Sequence, residues 1–122
     1  MRRFIAASAL FICLSTPASA QNPGDWVLAQ WRGGSQWFPG VVQARSGNQI
    51  TIRYDDGSVE TRPVNQIRPF DWRVGTQIEC QWTDGSWYRA TITGMAADGY
   101  NLTVLYEDGT SEHTNTGKCR VS

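Results

Sequence analysis

One stretch of this chain is written twice. Tyr54, Asp55, Asp56, Gly57, Ser58, Val59 and Glu60 return as Tyr106, Glu107, Asp108, Gly109, Thr110, Ser111 and Glu112. In each copy an Asp-Gly pair stands between residues that suit strands, and the positive φ angles of a two-residue hairpin turn are accepted by Gly, Asn and Asp. Each copy is therefore read as a tight hairpin, and the chain as two repeats of one unit.

The surroundings of the hairpins align as well. Trp26 to Trp31 is an apolar and aromatic run that suits a strand, and Arg32 to Gln36 breaks it. Trp37 to Val42 begins a second strand, with Pro39 near its start, where a missing backbone donor is tolerated. Ser46, Gly47 and Asn48 form a turn, after which Ile50 to Tyr54 alternates and is rich in β-branched residues, the pattern of a strand. Ser58 to Arg62 returns from the hairpin and Val64 to Arg68 is a short closing segment. In the second unit Ile78, Cys80 and Trp82 fall on Val27, Ala29 and Trp31 at an offset of 51, Trp87 and Tyr88 on Trp37 and Phe38 at 50, and Tyr106 on Tyr54 at 52. The drifts fall in loops, where length changes are tolerated.

A unit of about 48 residues with five short strands cannot fill two sheets. It can close into a small barrel, which removes exposed strand edges. The expectation is an all-β chain of two consecutive five-stranded SH3-like barrels, residues 24–69 and 75–122, joined by a linker at 70–74. Phe70 and Trp72 put two aromatics in that short connector, so the units are expected to touch through it.

Ahead of the repeats stand Arg2 and Arg3, an apolar run from Phe4 to Leu14, and Ala18-Ser19-Ala20 before Gln21. This is the layout of a cleaved secretory signal peptide over residues 1–20, with an apolar run too short to span a bilayer. A periplasmic or secreted location is expected. Cleavage turns 11 basic against 11 acidic residues into 9 against 11, because Arg2 and Arg3 are lost. A slightly acidic chain with scattered arginines argues against nucleic-acid binding through phosphate contacts.

Once Cys13 leaves with the signal, Cys80 and Cys119 remain as an even pair in an oxidising compartment and read as one disulfide. Closing a loop of that length stabilises by roughly 4 kcal/mol at most. Two cysteines and the single histidine, His113, are a poor metal-ligand set, so neither a metal nor a cofactor is expected. Catalysis is not expected either, since a nucleophile needs a nearby base and the paired acids Asp55 and Asp56 lie in a turn where nothing would separate their pKa values.

Two copies of Trp, a Gly-containing loop, Trp-(Phe/Tyr), a variable hairpin and Tyr-(Asp/Glu)-Asp-Gly resemble tandem Tudor domains, in the wider group that includes Agenet barrels. The resemblance covers nearly the whole chain after residue 20. It implies strongly bent five-stranded barrels and, in ligand-binding members, a cage of aromatic rings at one rim. Carried over by position, the cages are Trp31, Phe38, Tyr54 and Asp56 in the first unit and Trp82, Tyr88, Tyr106 and Asp108 in the second. Many binding members place another aromatic directly after the hairpin glycine, where this chain has Ser58 and Thr110.

Several rings around a cation attract it through their negative faces, by about 0.5 to 1 kcal/mol per exposed contact and roughly 2 or more once desolvated. Three rings and a carboxylate suit a methylated ammonium or guanidinium on a protein or peptide, or a small quaternary amine. One such cage binds at roughly micromolar to millimolar strength, so two linked units gain from effective concentration. The competing reading is that the same rings close the barrel mouths, leaving a monomeric structural, protein-interaction or cell-wall-binding protein. Trp37 and Trp87 are assigned to the core, and Asp56 and Asp108 are residues that the turn itself favours.

Overall fold

The computed structural model describes residues 21–122, so the signal-peptide reading falls outside it. The first unit contains β1 (Trp26–Gln30), β2 (Trp37–Ser46), β3 (Gln49–Tyr54), β4 (Val59–Pro63) and β5 (Ile67–Pro69). The second contains β6 (Gln77–Gln81), β7 (Trp87–Met95), β8 (Asn101–Tyr106), β9 (Ser111–Asn115) and β10 (Cys119–Arg120). Each set forms one antiparallel sheet, in the orders β4-β3-β2-β1-β5 and β10-β6-β7-β8-β9. Among the described residues no helix is long and apolar enough to cross a membrane.

The long strands β2 and β7 let one sheet wrap its own core. Their register slips at the same place in both units, between Val42 and Ala44 and between Ile92 and Gly94. Such bulges bend a strand and increase its twist. The last strand of each unit then pairs with the first, β5 with β1 and β10 with β6. The two ends of each ladder, β4 with β5 and β9 with β10, are joined by a 3₁₀ turn, Val64–Gln66 or Thr116–Lys118.

The signature hairpins differ from the expected two-residue turn. The Tyr54 amide donates to the Ser58 carbonyl at 2.8 Å and the Gly57 amide to the Tyr54 carbonyl at 2.9 Å, which encloses Asp55, Asp56 and Gly57 in a three-residue loop. Gly57 takes φ 96° and Gly109 takes φ 92°, so the glycine provides the left-handed residue of a bulged turn. The Asp side chain supports the same turn, its Oδ1 accepting from the amide of Ser58 or Thr110 at 2.9 Å.

Val27, Ala29, Val42, Ile50, Ile52, Tyr54 and Ile67 form the first core. The second gathers Ile78, Ile92, Leu102, Val104, Tyr106 and the Cys80–Cys119 disulfide, together with Trp72 from the junction and Leu28 from β1. Residues two apart on a strand share a face. Val27 and Ala29 therefore look into the first barrel while Leu28 faces the second, which explains three fully buried apolar residues in a row. Phe70 packs between Trp26 and Trp72, with ring centroids 6.3 and 5.5 Å away.

The assignment of Trp37 and Trp87 to the core is corrected. Directly paired residues point to the same face, and Phe38 pairs with Ala29 while Tyr88 pairs with Cys80, both of which face inward. The tryptophans consequently point out of their own barrels and are only partly buried, Trp37 packing against the second core instead of its own. Each carries a guanidinium on its ring, Arg68 at 4.3 Å from the Trp37 centroid and Arg120 at 4.1 Å from that of Trp87.

Candidate functional site

The rim of each barrel is built from the residue that follows its first strand, the start of its second and the end of its third. In the first unit these bring Trp31, Phe38 and Tyr54 together, with Tyr54 perpendicular to both neighbours, its centroid 5.4 Å from Trp31 and 6.4 Å from Phe38. The second repeats the corner with Trp82, Tyr88 and Tyr106, at 5.5 and 6.4 Å and interplanar angles of 90°. Such edge-to-face contacts are favoured by the ring quadrupoles, so the corner is stable without a ligand.

The central tyrosine is buried in both units and its hydroxyl is used. Tyr54 donates to Glu60 at 2.8 Å and Tyr106 to Glu112 at 2.5 Å. Burial first, and then the adjacent carboxylate, push both phenols well above the ordinary tyrosine value. They stay neutral at physiological pH. Glu60 and Glu112 were not among the residues expected at the rims, although they recur in register with the hairpins and the repeat itself held that signal.

The two rims differ in what surrounds the rings. At the second, a cavity of about 430 Å³ is lined by Trp82, Tyr88 and Tyr106 and by Asp84, Glu107, Asp108, Arg89 and Thr110. Arg89 lies 3.7 Å from Glu107. Tyr88 is 45 % exposed and is oriented by its hydroxyl, which donates to Asp84 at 2.7 Å. That hydrogen bond is the main reason Asp84 is held below the usual carboxylate range, and the Thr110 backbone amide does the same for Asp108. Asp84 was missed by sequence reasoning, although Asp84-Gly85 follows Trp82 in another three-residue turn, closed from the Trp82 amide to Ser86 at 2.9 Å.

At the first rim Trp31, Phe38, Pro39, Tyr54, Asp56 and Ser58 line a cavity of about 160 Å³, and the remaining wall comes from Thr116 and Gly117 of the other barrel. The Arg32 guanidinium lies 5.2 Å from the Trp31 ring, a cation already within π range. Arg32 has φ 53°, left-handed for a non-glycine residue, and its amide donates to Glu60 at 2.9 Å. Asp56 turns Oδ1 toward Ser58, accepting from its amide and, at 2.6 Å, from its hydroxyl. Among the described residues no cluster of three or more His, Cys, Asp or Glu could hold a metal ion.

Fold and rim geometry define a tandem of small five-stranded antiparallel barrels with an aromatic corner at each mouth. Residues 28–72, running from β1 through the junction tryptophan, match the Agenet domain, a Tudor-like family. The solved structures similar to this chain include the ADCP1 tandem Agenet domain 3-4, at 18% identity over 84% of this chain and 81% of that one, with a TM-score of 0.39. Arabidopsis thaliana AGDP1 AGD34 is another, at 18% identity over 84% of this chain and 83% of that one, with a TM-score of 0.41. No curated protein matches the chain.

Proposed function

We propose that this protein is a non-catalytic binding module whose second-barrel rim receives a cationic group. The ligand is a methylated ammonium or guanidinium on a protein or peptide, or a small quaternary amine. The observation that carries this reading is the open corner of Trp82, Tyr88 and Tyr106 beside Asp84 and Asp108. Three π faces attract a cation, and carboxylates held below their usual range remain charged beside it. With residues 1–20 read as a secretory signal, binding takes place in the periplasm or outside the cell.

Titration of the full chain with tetramethylammonium chloride, followed by tryptophan fluorescence, tests the reading. Trp82→Ala or Tyr106→Ala should weaken the response by about thirtyfold, the loss expected when a desolvated ring contact worth about 2 kcal/mol disappears. Thr110→Tyr should strengthen it by about threefold to tenfold, by adding a ring at the residue after the hairpin glycine. A wild-type response that survives Trp82→Ala undiminished would place the cation elsewhere and reject the proposal.

A further inference from the structure

The second barrel narrows the first rim, to a cavity of about 160 Å³ against about 430 Å³ at the second. Thr116 and Gly117, in the 3₁₀ turn that leads into β10, line the cavity in front of Trp31, Phe38 and Tyr54. Thr116 is fully buried, and its hydroxyl donates to the Asp55 carboxylate of the signature hairpin. Asp55 is itself fixed in the first barrel, its amide donating to the Pro39 carbonyl at 2.9 Å. At Gly117 a Cβ would stand 2.8 Å from the Asp55 carbonyl oxygen, so this approach excludes any larger residue.

The segment is held at both ends. Behind it, the Thr116 amide donates to the Tyr100 carbonyl at 2.9 Å. Ahead of it, Cys119 is bonded to Cys80, and Val121 exchanges backbone hydrogen bonds of 2.6 and 3.0 Å with Trp37. Trp87 meets Phe38 in a T-shaped contact, with centroids 6.1 Å apart. In the second barrel the ring that corresponds to Phe38, Tyr88, is 45 % exposed.

We infer that residues 116–121 are an intramolecular plug that closes the first aromatic corner as a latent cation site, leaving the second rim as the open one. Arg32 holds its guanidinium 5.2 Å from the Trp31 ring centroid. The inference rests on the cation-binding reading of the second rim for its ligand class, whereas the plug itself rests on contacts within the chain. The two barrels are consequently unequal, and a ligand meets one site at a time unless the segment is displaced.

The test uses the indole N–H signals of the full chain in NMR, comparing wild type with Thr116→Val and Gly117→Ala. Without ligand, exchange of the Trp31 indole proton with water should rise at least tenfold in both variants. With tetramethylammonium chloride, the Trp82 signal should shift in all three proteins. That of Trp31 should shift only in the variants, at an affinity within about threefold of the Trp82 site. Thr116→Val removes one hydroxyl from a side chain of similar shape and decides the matter if Gly117→Ala does not fold. A wild-type Trp31 signal that shifts as readily as Trp82, or exchange unchanged in folded Thr116→Val, overturns the plug. Faster exchange with Trp31 silent while Trp82 responds overturns the latent site. Silence of Trp82 throughout rejects the cation reading of the second rim, and the exchange rates then still decide for or against the plug.

Discussion

At Tyr106 the phenol is committed to Glu112 before any ligand arrives, while the rim acids Asp84 and Asp108 face solvent with pKa values below the usual range. A depressed folded-state value means that the interaction is complete above the unfolded carboxylate pKa, about 3.9, and is lost as pH falls through the depressed value. Tetramethylammonium affinity should therefore be flat from about pH 6 to 8 and decline below about pH 4. Replacing both acids by Asn should shrink that acid limb to what Glu107, the third carboxylate of the lining, supports, as a fluorescence titration across pH would reveal. An unchanged limb would mean that neither acid senses the cation. The rings at this scale were legible because they recur with the hairpin. Asp84 was not, because its partner Tyr88 sits across a turn and only the folded distance joins them.

Among the elements, the pairing of β6 with β10 sets Cys80 directly opposite Cys119, and the pairing of β1 with β5 sets Ala29 opposite Ile67. The two units thus close the same strand pair, one covalently and one by apolar contact. Transplanting the apolar pair, Cys80→Ala with Cys119→Ile, should lower the unfolding free energy by about 2–4 kcal/mol. Urea denaturation measures this, and an unaltered midpoint would show that the bridge adds nothing to folding. The strand order could be read from the repeat, since first and last strands of a small barrel are neighbours. The facing of Trp37 and Trp87 could not. Alternation fixes that one residue of each Trp-aromatic pair turns inward, but the choice depends on which partner lies opposite, and that is a matter of register.

For the whole molecule, the decisive residues are Leu28 and Trp72. Leu28 belongs to the first barrel's leading strand and is buried in the second core, where Trp72 joins it. The cores are therefore coupled, and heating should unfold both barrels in one transition. Trp72→Ala should cost about 3–5 kcal/mol and depress far-UV and tryptophan signals together. Two separated melts in the wild-type chain would contradict the coupling. Sequence reasoning reached Trp72 as an aromatic in a short connector, yet Leu28 gave no sign of its role, since an apolar residue between two inward neighbours reads equally as a face of its own barrel.

Local chemistry is what the sequence determined by itself: the Asp-Gly turns, the alternation of the strands, the duplicate unit with its Tudor-like signature, and the cysteine pair. Each depends on residues close in the chain or on the comparison of one copy with the other. The inequality of the two rims was decided only in the tertiary structure, because Thr116 and Gly117 reach Asp55 across 61 and 62 positions of sequence. A repeat predicts that equivalent residues adopt equivalent conformations within each unit. It does not say which surface of one unit will cover the other, since the contacts between barrels have no counterpart inside either copy.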